Sequence, residues 1–228
     1  MIHDRSYKDE ARLLSPVIWN ATSNGLTDIG SDLSHHPRHE DSYMGKKTNT
    51  TALVLIPPAE LWEPIQAIRR VHDRHVRRWM PHITLLYPFR AHEEFAELAE
   101  QFAAMCGGVE PFRVDLGELR YFQHRRESYT LWLAPEPRAA LVRLQALLGK
   151  IVPDCDDVVQ HRDGFTPHLS IAQVRGEKQM LTFKHEVQAG WQPIAFRAHE
   201  ITLIWRHNPP DDVFRIGQVV QLGTGALP

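Results

Sequence analysis

Cysteine is scarce in this chain: Cys106 and Cys155 are the only two among 228 residues. They lack the paired spacing of a zinc site and cannot build a disulfide framework. One disulfide between them is open to the chain, but a reduced pair in a cytoplasmic protein fits their number better. Long apolar runs are missing too. No stretch reaches the ~20 consecutive apolar residues of a membrane-spanning helix. Residues Met1 to Arg5 show no apolar run behind a basic start. Neither a membrane partner nor a secretory leader is therefore expected. Charge of one sign is also absent: the net charge of −2 supplies no basic field for long nucleic acid. An RNA partner would be read locally, at an end or as a small fragment. The chain has no glycine-rich phosphate loop, no repeat array, and no cluster with zinc, magnesium or calcium ligand spacing. No metal and no cofactor is expected.

Histidine, by contrast, is plentiful, with 14 residues. Three of them, His35, His36 and His39, fall in residues 1–50. That stretch is rich in Ser, Asn, Asp, His and Gly and has no sustained apolar periodicity. It reads as a polar, flexible N-terminal tail with a short helix over Lys8–Leu14. Residues 51–228 read as the folded domain, long enough for two small lobes with a real core. Ala52–Ile56 is a short apolar run before Pro57-Pro58, and reads as a buried strand. Helical spacing follows from Pro58 to about His75, and again over Glu93–Met105, Arg138–Ile151 and Glu177–Val187. Strands are predicted at His82–Tyr87, Phe112–Phe122, Tyr129–Leu133, His168–Val174, Ile194–Trp205 and Val213–Leu222, with turns at His124–Glu127 and Asn208–Asp211. Several strand pairs are joined by short turns. The class is thus α+β, with antiparallel sheets and helices packed on one face.

One short pattern occurs twice. Pro81-His82-Ile83-Thr84-Leu85 is echoed by Pro167-His168-Leu169-Ser170-Ile171. Residues i and i+2 of a strand share a face. Each copy therefore presents an imidazole and a hydroxyl side by side, with aliphatic residues turned to a core. If the two strands face each other across a cleft, four groups surround one phosphate. Thr84 and Ser170 can donate to its oxygens, one imidazole can act as base, and the other can protonate the leaving oxygen. A single His-x-Thr on a strand is an ordinary polar face; the duplication makes it a candidate site.

The pair is similar to the twin His-x-Thr/Ser signatures of the two-histidine (2H) phosphoesterase superfamily. Within it, the chain resembles the 2′-5′ RNA ligase and cyclic phosphodiesterase branch from about Thr51 to Leu222. The resemblance implies a bilobal, pseudo-twofold fold: two antiparallel sheets, helices on their outer faces, one signature strand per lobe and a central cleft. It implies a metal-independent phosphoesterase for 2′,3′-cyclic phosphate or 2′,5′-linked RNA or nucleotide substrates. His82 and His168 would be catalytic, and Thr84 and Ser170 would bind phosphate. His168 would activate water and His82 would protonate the leaving 3′-oxygen. The partner would be an RNA end or a small nucleotide with a cyclic phosphate, and the protein a cytoplasmic monomer. A non-catalytic nucleotide-binding module, or an RNA 2′,5′ ligase using the same site, are the alternatives.

Tyr87 stands where the family's first motif often has an aromatic. Gln173, five residues after His168, stands where the second often has a cation. A neutral amide cannot stabilise phosphate charge as a guanidinium can; Arg175, two residues on, is the candidate substitute. Trp205 and Arg206 end a strand near the expected cleft rim and are candidate substrate contacts. Tyr129 and Trp132, three apart on a strand, must face opposite sides, so at most one can stack on a base.

Overall fold

The computed structural model describes residues 45–160 and 163–223. The predicted tail helix at Lys8–Leu14 and His35, His36 and His39 lie outside the described residues. In chain order the elements are β1 (Lys47–Thr48), β2 (Thr51–Leu55), α1 (Trp62–His72), β3 (Ile83–Leu86), β4 (Phe89–Arg90), α2 (Phe95–Cys106), β5 (Phe112–His124), β6 (Ser128–Glu136), α3 (Arg138–Leu148), β7 (Leu169–Arg175), α4 (Glu177–Gly190), β8 (Ile194–Ala198), β9 (Glu200–Trp205) and β10 (Arg215–Gln221).

The strands form two four-stranded antiparallel sheets, β10-β9-β2-β3 and β7-β6-β5-β8, plus the small pair β1-β4. The fold is α+β, as the pattern predicts. β5 and β6 form a hairpin whose turn places Arg126 and Glu127 at φ 58° and 51°. β3 and β7 are each the edge of a sheet, and they touch one another. The two His-x-hydroxyl segments therefore meet where the sheets meet.

The helices bury apolar stripes against one side of these sheets. In α2, Phe95, Leu98, Phe102 and Cys106 are buried at spacings of three and four, the period of one helix face. α1 lies against β7, α2 against β10, α3 against β6, and α4 against β5, β6 and β7. One contiguous core joins both sheets to the helices, with Leu53, Leu55 and Ile83 of the first sheet and Leu131, Leu169 and Ile171 of the second. A smaller cluster covers the opposite face of the first sheet: Ala52, Val54, Ile204 and Phe214, with Trp79, Met80 and Tyr87 packed on it.

One predicted element is corrected. Ile194–Trp205 is not a single strand. β8 belongs to the second sheet and β9 to the first, with the break at His199. The apolar alternation runs through the break, but its phase changes. Ile194, Phe196 and Ala198 face the main core before it, and Ile201, Leu203 and Trp205 after it. The pairing of β1 with β4 also starts the described fold a few residues ahead of Thr51. Lys47 Nζ donates to Asp157 at 2.5 Å and to the Asp154 carbonyl at 2.7 Å. Arg90 holds Asp154 and the Gly45 carbonyl.

Both cysteines are free and buried, and burial pushes each thiol up to about 11, which leaves them inert packing groups. No helix among the described residues is long and apolar enough to cross a membrane.

Candidate active site

The two signature segments share one local geometry. His82 immediately precedes β3, and His168 immediately precedes β7. His82 Nδ1 lies 2.7 Å from the Met80 carbonyl, and His168 Nδ1 lies 2.8 Å from the Thr166 carbonyl. A carbonyl oxygen only accepts, so Nδ1 must carry the proton in both rings. In a neutral ring of this tautomer the lone pair sits on Nε2. Each imidazole is thereby fixed in orientation by the residue two positions before it.

Each signature strand also contains one extra residue directly after its hydroxyl. In the β2–β3 ladder Val54 faces Thr84 while Leu53 faces Leu86, so Leu85 is the inserted residue. In the β6–β7 ladder Trp132 faces Ser170 while Leu131 faces Ala172, so Ile171 is inserted. A bulge of this kind shifts the in–out alternation by one. Leu85 and Ile171 stay fully buried. The residue five positions after each histidine would otherwise point into the core, but it is turned to the histidine face. Tyr87 thus packs with Trp79, and Gln173 pairs with Thr130, two residues from Trp132.

The surroundings of the two histidines differ. His82 is stacked on Trp79, with ring centroids 4.6 Å apart and planes 18° from parallel. Trp79 in turn stacks on Phe214 at 3.8 Å. The loop carrying Trp79 and His82 is held by a buried ion pair, Arg69–Asp73, at 2.7 Å and with both side chains under 4 % exposed. Arg69 Nη2 donates to the Trp79 carbonyl at 2.9 Å, and Asp73 accepts from the His75 amide at 2.8 Å. Burial pushes the His82 pKa down to about 4. The Met80 carbonyl opposes this, while Arg69 and His168 add to it. His82 is therefore neutral at pH 7, and it lies within electrostatic reach of His168. His168 instead meets ring edges: Phe122 at 5.0 Å and 88°, and Trp132 at 5.9 Å and 62°. Trp132 is 4 % exposed, stands opposite Ser170 and has no partner for its indole N–H.

Thr84 and Ser170 each share a face with their histidine by strand alternation. The Gln173 Oε1 accepts the backbone N–H of Arg74 at 3.0 Å, tying β7 to the loop that leads to His82. Arg175 is exposed at the end of β7, opposite Ser128. Trp205 and Arg206 are separated. Trp205 packs on the main core and stacks on His92 at 4.2 Å, on the side of β9 away from Trp79. Arg206 lies over the Phe214 ring at 5.5 Å, on the same side as Tyr87 and Trp79. Tyr129 is buried in the main core and Trp132 faces His168, the opposite orientations their spacing requires. Trp79, Phe122, Arg69 and Asp73 carry no signal in the sequence pattern. Trp79 sits in a loop without periodicity, and only its place three residues before His82 hints at it. Among the described residues, no three His, Cys, Asp or Glu side chains are grouped as metal ligands.

A model of the 2′-5′ RNA ligase superfamily matches residues 57–210. A Geobacillus kaustophilus protein provisionally named a phosphoesterase is 29 % identical over 123 residues, which cover 53 % of this chain and 67 % of that protein. A Bacillus cytotoxicus protein of the same provisional name is 25 % identical over the same shares. Among solved structures, Escherichia coli LigT complexed with 3′-AMP superposes with a TM-score of 0.51 at 17 % identity, covering 78 % of this chain and 99 % of LigT. A Thermus thermophilus protein gives 0.51 at 16 % identity, covering 76 % and 98 %.

Proposed function

Since the chain belongs to the 2′-5′ RNA ligase superfamily of 2H phosphoesterases, we propose that it hydrolyses a nucleoside or RNA-end 2′,3′-cyclic phosphate without a metal, using His82 and His168. The observation that carries this reading is the doubled frame. Two touching edge strands each offer an imidazole fixed by a carbonyl at Nδ1, followed by a hydroxyl two residues on and a bulge. The 3′-AMP held by LigT supports a nucleotide as the ligand class.

His82, kept neutral by burial and Arg69, has its Nε2 lone pair free to accept a proton at pH 7 and is assigned as the base. Its Nε2 takes a proton from water, whose oxygen attacks phosphorus. The P–O3′ bond breaks, and the 3′-oxygen takes a proton from the Nε2 of protonated His168. Thr84 and Ser170 donate to the non-bridging oxygens. The product is a 2′-phosphate monoester, and the two imidazoles exchange one proton with solvent to reset. This division of labour is the reverse of the one the resemblance implies, and the burial of His82 is its cause. With a 5′-hydroxyl in place of water as the nucleophile, the same residues would open the cyclic phosphate into a 2′,5′ linkage and free the 3′-hydroxyl, as a ligase does. The setting proposed for this chemistry is a reducing cytoplasm.

The test is incubation of the protein with adenosine 2′,3′-cyclic phosphate in excess EDTA, followed by phosphorus NMR. A single 2′-monophosphate product is expected. Activity that disappears in EDTA and returns with one metal contradicts the mechanism. Tight binding without turnover makes the protein a nucleotide-binding module, the reading that Gln173 favours by standing in place of a cation.

A further inference from the structure

The two sheets bring aromatic rings to the histidines in different states. Beside the first, Trp79 meets His82 at 4.6 Å and Phe214 at 3.8 Å, both close to parallel. Among the described residues His82 and Phe214 make no ring contact with each other, so they cover opposite faces of the indole. Tyr87 meets Trp79 at 5.7 Å and 74°, and its hydroxyl donates to the Asn49 carbonyl at 3.3 Å. Beside the second, Trp132 is 4 % exposed and stands opposite Ser170. Phe122 stacks on Trp132 at 4.8 Å and 26°, and is itself only half-buried.

Phe122 has one face left. Its centroid lies 4.8 Å from Trp132 and 5.0 Å from His168, which are 5.9 Å from each other, so Trp132 covers one face of the ring and His168 stands at its edge. Among the described residues no other ring meets Phe122. The remaining face points away from β6, past the edge of the sheet. β8 pairs with β5 only over Phe112–Leu116, and β5 continues to His124 with no neighbouring strand on that side. Arg120 and His124, two residues before and after Phe122, share its side of the strand. Arg120 pairs with Glu118 at 2.8 Å, and His124 Nε2 lies 3.0 Å from the Thr130 hydroxyl. An aromatic face framed by polar groups is what a nucleobase requires, with stacking on its plane and hydrogen bonds at its edge. The distance also fits. A ring stacked offset on the free face, about 4.5 Å from Phe122, lies roughly 7–8 Å from the His168 imidazole, the reach of a nucleoside whose phosphate sits on that imidazole. In-line displacement supports the same placement: water attacks from the His82 side, so the leaving 3′-oxygen and its ribose stand on the His168 side.

We propose that the free face of Phe122 is the base-binding platform of the site, so that the nucleoside lies against the second sheet and Tyr87 stacks no base. Binding by stacking accepts every base and favours the larger purines. The platform rests on the nucleotide reading above and adds which side of the site holds the base.

Two ligands separate the base from the phosphate: adenosine 2′-monophosphate, and methyl β-ribofuranoside 2-phosphate, which lacks the base. Both are titrated calorimetrically into the wild-type protein, Phe122→Leu, Phe122→Tyr and Tyr87→Leu. The wild type should bind the adenosine compound about tenfold more tightly, the worth of one stacked base. Phe122→Leu should bring the two ligands within about twofold of each other by weakening only the adenosine compound, while Phe122→Tyr and Tyr87→Leu should keep the preference. In the wild type the adenine ring protons should show nuclear Overhauser contacts to the Phe122 ring, a readout that needs no variant to fold. Equal affinities in the wild type overturn the platform and leave the phosphoesterase reading standing. Contacts to Tyr87 instead of Phe122, or a preference lost in Tyr87→Leu and kept in Phe122→Leu, move the base to the first sheet and overturn it too. Equal loss of both ligands in Phe122→Leu makes Phe122 a support for His168 and also overturns it. Binding of neither ligand at millimolar concentration overturns the nucleotide reading itself, and the platform with it.

Discussion

The segments around β3 and β7 carry the same frame at the touching edges of two sheets, yet their surroundings differ. Around His82 the imidazole lies flat on Trp79, backed by Phe214 and by the buried Arg69–Asp73 pair. Around His168 the ring meets the edges of Phe122 and Trp132. The fifth position after the histidine is Tyr87 in one segment and Gln173 in the other. The frame sets where Nε2, the hydroxyl and the fifth residue go. The packing around it buries the His82 ring and lowers its pKa to about 4. A doubled motif can therefore hold two histidines in equivalent places and still give them different surroundings.

Removing either histidine should break the pair outright. His82→Ala and His168→Ala should each lower kcat on a cyclic nucleotide by about 10²–10⁴-fold, and the double variant should be little worse than either. Steady-state kinetics on the three variants checks this; additive losses would mean that the histidines act independently. Arg69→Met attacks only the first segment. It leaves Asp73 buried and unpaired, and should cost about 3–5 kcal/mol of stability in denaturant unfolding. A change below about 1 kcal/mol would show that the pair does not hold the His82 loop. Thr84→Ala and Ser170→Ala each remove one hydrogen bond to a charged phosphate, worth about 1.5–3 kcal/mol. Each should lower kcat/KM about tenfold to a hundredfold. The two losses should be similar, because both hydroxyls occupy one position of the frame.

The pH dependence sharpens the contrast. The His82 pKa is depressed in the folded protein, so the base is fully present above the ordinary histidine range and is lost as pH falls through about 4. The acidic limb of kcat/KM should therefore have its midpoint near pH 4 rather than at the ordinary ~6.5. A carbon-detected NMR titration of the His82 ring should give the same midpoint. A ring that titrates near 6.5 would remove the asymmetry.

Much of this was legible in the sequence. The doubled Pro-His-aliphatic-hydroxyl-aliphatic pattern marked both strands and the faces of their histidines, because strand period maps directly onto geometry. The bulges left a fainter trace: Leu85-Leu86 and Ile171-Ala172 are adjacent apolar pairs where strict alternation requires a polar residue at one position. The passage of the chain from one sheet to the other at His199 was present as a change of apolar phase between Ala198 and Ile201, with no glycine or proline to mark the break. Two-residue strands such as β1 and β4 are too short to show a period. The stack of His82, Trp79, Phe214 and Arg206 joins two distant parts of the chain, residues 79–82 and 206–214. It exists only through tertiary packing, so no local spacing announces it.

The central claim is that His82 is the base and His168 the acid, and a substrate that needs no acid tests it most directly. The 4-nitrophenyl ester of 3′-deoxyadenosine 2′-phosphate has a leaving group that departs unprotonated, and it has no neighbouring hydroxyl to cyclise. Relative to wild type, this substrate should restore most of the rate of His168→Ala and little of that of His82→Ala, followed by nitrophenolate absorbance. Rescue of His82→Ala instead would reverse the assignment, and rescue of both would contradict a two-histidine mechanism.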